Sequence, residues 1–154
     1  MKILITSLLA VTLGTAVQAQ DAYVGAALDY GFPHSGDAQT VGSVVAGLGI
    51  DTGLFVIGAE IETGAQIAGD NDYNTARVRG WVSYDWNDYT FRVASGVTEY
   101  YFSDDNSGGY NAGFGVERDL TDTMSLRGEL IRDFMDNTFT AAVTTTRLAV
   151  VYNF

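Results

Sequence analysis

Between Leu54 and Glu62 the chain places Phe55, Ile57, Ala59 and Ile61 on one parity and Val56, Gly58, Glu60 and Glu62 on the other. A strand, whose successive side chains point to opposite faces, separates these two sets; a helix would scatter them around its surface. Two carboxylates on one face and branched aliphatics on the other require a sheet with one apolar side and one side that can house charge.

The same period of two recurs along the chain. Val24, Ala26, Leu28 and Tyr30 oppose Tyr23, Gly25, Ala27 and Asp29, and Thr40 to Ile50 reads as a second, glycine-containing strand. The segment from Leu54 is the third. Asn74 to Trp86 is the fourth, with Ala76, Val78, Gly80 and Val82 opposite Arg77, Arg79 and Trp81. The fifth runs from Phe91 through Tyr101, the sixth from Tyr110 to Glu117, the seventh from Met124 to Ile131, and the last from Thr144 to Phe154. Asp51-Thr52-Gly53, Asn87-Asp88 and Leu120-Thr121-Asp122-Thr123 have the composition of tight turns. Gly31 to Gln39, Ser103 to Gly108 and Asp133 to Thr140 read as longer polar loops, as does the stretch before Asn74. Short and long connections alternate, which predicts an all-β, eight-stranded antiparallel transmembrane barrel. Its short turns would be periplasmic, its longer loops extracellular, and both termini periplasmic.

Residues 1–19 read as a cleaved signal peptide. Met1-Lys2 is a positive start, Ile3 to Leu13 an apolar run, and Val17-Gln18-Ala19 a cleavage site, so 20–154 forms one mature barrel domain. An apolar run of this length is too short for a membrane helix at 1.5 Å per residue. Export without any cysteine suits the outer membrane of a Gram-negative envelope, and it removes disulfides, thiolate zinc sites and thiol nucleophiles. Once Lys2 has left with the signal peptide, seven arginines stand against nineteen acidic residues, a net charge of −12. That excludes a nucleic-acid surface, which needs clustered cations. No metal or cofactor is expected.

Arginine decides which face looks inward. Arg77, Arg79, Arg92, Arg127 and Arg147 share the face of Glu60, Glu62, Glu117 and Glu129, opposite the aliphatic residues. A charge facing mid-bilayer lipid costs about 2–4 kcal/mol, so these nine residues should form an ion-pair network in the lumen. Counting from the turns, Glu60 and Glu62 reach the height of Arg79 and Arg77; Glu117, Arg127, Glu129 and Arg147 suggest a second group on the last three strands. Aromatics gather in two belts, Phe55, Tyr84, Trp86, Tyr89, Phe91, Tyr152 and Phe154 near the turns, and Tyr30, Tyr73, Tyr100, Tyr101, Tyr110, Phe134 and Phe139 near the loops. Trp81 has inward parity and should fill the lumen.

These residues resemble the small eight-stranded outer-membrane barrels related to the OmpA transmembrane domain, OmpX and the opacity-type surface antigens. The resemblance rests on Tyr23-Val24-Gly25-Ala26-Ala27-Leu28-Asp29-Tyr30, Gly113-Phe114-Gly115-Val116-Glu117, Leu120-Thr121-Asp122 and Ser125-Leu126-Arg127-Gly128-Glu129-Leu130. It implies that Leu148, Val150, Tyr152 and terminal Phe154 form the signal read by the barrel assembly machinery. It also implies contact with outer-membrane lipids and lipopolysaccharide, and a monomer is expected. The sequence ends at Phe154, so no peptidoglycan-binding domain of the OmpA type is expected and tethering to the cell wall is not implied. The function expected is a structural or surface-interaction role with a plugged lumen, not an enzyme. Three alternatives compete: a small-solute or ion pore; a lipid-A-modifying enzyme using His34 and Ser35, which lack the oriented third group of a hydrolase; and cation binding through Asp70-Asn71-Asp72 or Asp104-Asp105-Asn106, neither of which has the spacing of a calcium loop.

Overall fold

A computed structural model describes residues 21–69, 73–103, 105–136 and 140–154. Residues 1–19, expected to be a signal peptide cleaved after Ala19, lie outside the described residues, as do the Asp70-Asn71-Asp72 run, Asp104 and Phe139. Eight strands follow in order: β1 (Asp21–Pro33), β2 (Gln39–Asp51), β3 (Val56–Ala68), β4 (Asn74–Trp86), β5 (Tyr89–Tyr101), β6 (Asn106–Asp119), β7 (Met124–Met135) and β8 (Ala142–Asn153). Each pairs antiparallel with its sequence neighbours, and β1 closes on β8 with Ala26 opposite Val150 and Leu28 opposite Leu148. Closure leaves no strand edge, so the ladder satisfies backbone groups that lipid could not. At about 3.3 Å per residue and a tilt near 45°, strands of this length span roughly 30 Å, the thickness of a bilayer core.

The connections at one end are residues 52–55, 87–88 and 120–123; those at the other are 34–38, 69–73, 102–105 and 136–141. The turn end is built from local chemistry. Gly53 adopts φ 94° and its N–H donates to Asp51 Oδ1 at 2.6 Å; Asn87 takes the left-handed conformation at φ 55° in the two-residue turn between Trp86 and Tyr89. The loop end is tighter than the sequence suggests, because β6 begins at Asn106 within the stretch expected to be loop and β7 continues to Met135, past Asp133. Polar residues there do not leave the sheet. Asn106 pairs with Tyr101, and the inward-facing Ser107 and Asp133 are fully buried.

The outer face is apolar and uncovered. Leu28, Val44, Val78, Val97, Leu130 and Leu148 are each more than half exposed, on every side of the barrel. A water-facing protein does not present so continuous an apolar surface; a hydrocarbon core does accept it. Aromatic side chains ring both ends of this band. Phe55, Tyr84, Trp86, Tyr89, Tyr152 and Phe154 face outward at the turn end, and Tyr30, Phe32, Tyr110 and Phe134 at the loop end. Two members expected in the loop-end belt are elsewhere: Tyr73 and Tyr100 point into the lumen, only 3% and 2% exposed. They sit two residues before Thr75 and two after Thr98, so the pleat turns both inward.

Candidate functional site

The interior is a ladder of charge held by cross-strand register. Antiparallel pairing sets Glu60 opposite Arg79 and Glu62 opposite Arg77 on β3 and β4, Glu117 opposite Arg127 on β6 and β7, and Glu129 opposite Arg147 on β7 and β8. Directly opposed pairs of unlike charge stabilise a sheet, and here all of them lie on the enclosed face.

Glu60 is the hub of the turn-side half. Its Oε1 accepts from Arg79 Nε at 2.7 Å and also from Arg79 Nη2, while its Oε2 accepts from Tyr23 Oη at 2.5 Å and Arg92 Nη2 at 2.6 Å. Arg127 Nη1 approaches the same oxygen at 3.3 Å, and its Nε donates to Glu117 Oε2 at 2.6 Å. Glu129 links the two halves, accepting from Arg79 Nη2 at 2.7 Å and Arg147 Nη1 at 3.4 Å.

The loop-side half is organised by Arg77 and Arg147. Arg77 donates to Glu62 and forks onto Asp133, with Nε to Oδ1 at 3.1 Å and Nη2 to Oδ2 at 2.8 Å. Arg147 forks onto Asp29 in the same manner, at 2.7 and 2.6 Å, and pairs with Glu62 Oε2 at 2.6 Å. Tyr100 Oη donates to Asp133 Oδ2 at 3.0 Å. Bidentate guanidinium–carboxylate pairs of this kind fix orientation as well as charge.

The structure thus places Glu60, Glu62, Arg77, Arg79, Arg92, Arg127, Glu129 and Arg147 in the buried lumen, with Glu117 partly buried at its turn end. Two expectations need correction. The residues on the last three strands are not a separate group, because Arg127 reaches Glu60, Glu129 reaches Arg79, and Arg147 reaches Glu62 across the lumen. Curling the sheet into a narrow tube brings distant strands within one side-chain length. Asp29 and Asp133 were also missing from the expected network, Asp133 having been read as loop. Asp29 lies on the parity of Tyr23 and Ala27, and Asp133 continues that of Arg127 and Glu129, so extending each strand by its own alternation would have found both.

Packing closes the turn-side half around Trp81, which is 8% exposed. A Cβ at Gly58 would lie 2.4 Å from its ring and one at Gly49 2.7 Å, so the indole occupies space that only glycine leaves free. The Arg92 guanidinium lies 4.0 Å from the Trp81 ring centre, and Arg127 lies 4.8 Å from that of Tyr23.

Glu62→Ala should lower the unfolding free energy by about 1–3 kcal/mol, measured as a shift in the heat-modifiability midpoint on gels. The cost is moderate because Arg77 keeps Asp133 and Arg147 keeps Asp29. An unchanged midpoint would remove Glu62 from the network.

The remaining candidates lie at the loop end. His34 and Ser35 are exposed; their backbone N–H groups donate to Ala142 O at 2.7 Å and Thr140 Oγ1 at 3.4 Å. Asp105 caps the N–H of Asn106 at 2.8 Å. Among the described residues no group of three His, Asp or Glu side chains is placed to hold a metal ion.

No protein-family model matches the chain, and no curated protein matches it in sequence. Solved structures do match its fold. The N-terminal β-barrel domain of Pseudomonas aeruginosa OprF superposes with a TM-score of 0.71 at 13% identity, covering 88% of this chain and 98% of that one. Ail, the attachment invasion locus protein of Yersinia pestis, gives 0.61 at 10% identity over 90% of this chain and all of its own. Neisserial surface protein A gives 0.60 at 13% identity over 87% and 96%. The fold is that of the eight-stranded outer-membrane barrels.

Proposed function

We propose that this chain is a small integral protein of a Gram-negative outer membrane, exported by residues 1–19 with cleavage after Ala19, whose role is structural or surface-interacting. The lumen carries this reading. Arg77, Arg79, Arg92, Arg127 and Arg147 interlock with Asp29, Glu60, Glu62, Glu129 and Asp133, ten charged side chains each no more than 5% exposed. Eight strands enclose an interior just wide enough for side chains, and these side chains occupy it as a plug. Five cations balance five anions, so the net acidity lies in the turns, in the loops and at the turn-end mouth. With the turns periplasmic, the loop end faces outside and its contacts are with lipid and lipopolysaccharide.

Planar-bilayer recordings of refolded protein, run beside a heat-modifiability gel, test this. A compact unheated form with no steady steps of porin size is expected. Large stable openings would favour the pore reading instead. A non-enzymatic role is supported by the exposed, separately tethered His34-Ser35 pair, and lipid A acyl chains should be unchanged by mass spectrometry on expression.

Assembly is proposed to use the outward row Leu148, Val150, Tyr152 and Phe154. Phe154 is 74% exposed, packs edge-on to Tyr152 at 5.3 Å, and its N–H donates to Ala22 O at 2.9 Å. Deleting Phe154 should therefore cost the refolded barrel less than about 1 kcal/mol, as expected for an exposed side chain and one hydrogen bond. The yield assembled in the outer membrane of cells should fall severalfold. Undiminished assembly would overturn the signal.

A further inference from the structure

We propose that the turn-end mouth of the barrel is a binding site for a small, singly charged carboxylate. A chamber of about 180 Å³ opens there, lined by Tyr23, Trp81, Arg92, Arg127, Glu117 and Asp85 among others. Two buried donors of this lining, Arg92 Nε and Trp81 Nε1, have no acceptor within the protein. Their side chains are enclosed, at 3% and 8% exposure. Buried N–H groups are rarely left unmatched, and the two oxygens of one carboxylate can accept from both.

Charge selects the same ligand class. At this end Arg79, Arg92 and Arg127 share Glu60; Arg79 also holds Glu129 and Arg127 also holds Glu117, so among the described residues Arg92 is the one of the three with no second carboxylate. At the loop end each arginine has more than one carboxylate, with Arg77 and Arg147 set against Asp29, Glu62 and Asp133, while Glu129 bridges the halves. A monoanion supplies Arg92 with that second partner. A dianion would bring a further charge with no cation of its own beneath the acidic rim of Asp85, Asp88 and Asp119. The donors are also held in place: Trp81 lies on Gly49 and Gly58, and Arg92 stacks on Trp81, so little ordering accompanies binding.

The two tryptophans make the test internal. In protein refolded in detergent micelles, Trp81 and Trp86 each give one indole N–H cross-peak, assigned with W86F; Trp86 sits 59% exposed on the outer belt. Titration with sodium acetate should move the Trp81 peak saturably, with half-saturation on the order of millimolar, while Trp86 stays put. Sodium chloride at equal ionic strength should not reproduce the shift. R92K, which keeps the charge and removes the Nε donor, should weaken acetate binding roughly tenfold. An immobile Trp81 peak, an equal response to chloride, tighter binding of inorganic phosphate, or unchanged affinity in R92K would each overturn the proposal. The readout needs only the folded barrel, so its failure is separate from failure of the outer-membrane reading.

Discussion

Replacing Glu60 by alanine should destabilise the barrel by about 3–5 kcal/mol, the range found when one partner of a buried ion pair is removed. Four side chains converge on this carboxylate: Tyr23, Arg79, Arg92 and Arg127. Arg79 retains Glu129 and Arg127 retains Glu117 after the change. Arg92 retains no carboxylate among the described residues and stays enclosed against Trp81 with its charge uncompensated. The measurement is the urea unfolding midpoint of refolded protein in micelles, with Glu62→Ala beside it. Glu60→Ala should lose clearly more than Glu62→Ala, because the arginines around Glu62 each keep another buried acid. Equal losses would mean that the lumen responds to total charge and not to individual pairs.

Gly58→Ala should also be damaging, for a steric reason. The added methyl would lie 2.2 Å from the Leu48 carbonyl oxygen on β2 and 2.4 Å from the Trp81 ring. Neither obstacle can yield cheaply, since the carbonyl is part of the β2–β3 ladder and the ring is packed beneath Arg92. Overpacking of this kind typically costs about 1–3 kcal/mol and occasionally more; with backbone as the obstacle, the upper end or outright failure to refold is expected. Gly80→Ala is the matched control. Gly80 faces outward directly opposite Ala59, and its Cβ would meet nothing nearer than 3.9 Å. It should be neutral or slightly stabilising, since alanine loses less backbone entropy on folding. A refolding yield for Gly58→Ala equal to that of Gly80→Ala would refute the close packing of Trp81.

The strands were legible because parity is written into each segment: Asn74–Trp86 alternates without interruption, and its bounds coincide with β4. Legibility failed where the inward face became polar near the loop end. At Asp133, Tyr73 and Tyr100 an enclosed polar face and a solvated loop have the same composition, and only pairing with the neighbouring strand separates them.

The sequence by itself determined the period, the number of strands, which face carries charge and which side chains share it, since those depend only on the geometry of an extended backbone. It could match Glu60 with Arg79 by counting from adjacent turns. Only the tertiary structure decided that Glu60 also holds Arg92 and Arg127, that Arg147 takes Asp29 from the other end of the chain, and that Trp81 rests on two glycines. Glu60 meets Arg92 and Arg127 from non-neighbouring strands, while Asp29 and Arg147 become direct partners only where β1 closes on β8. These contacts exist because closing eight twisted strands makes neighbours of the first and the last and leaves a lumen narrow enough for opposite walls to touch.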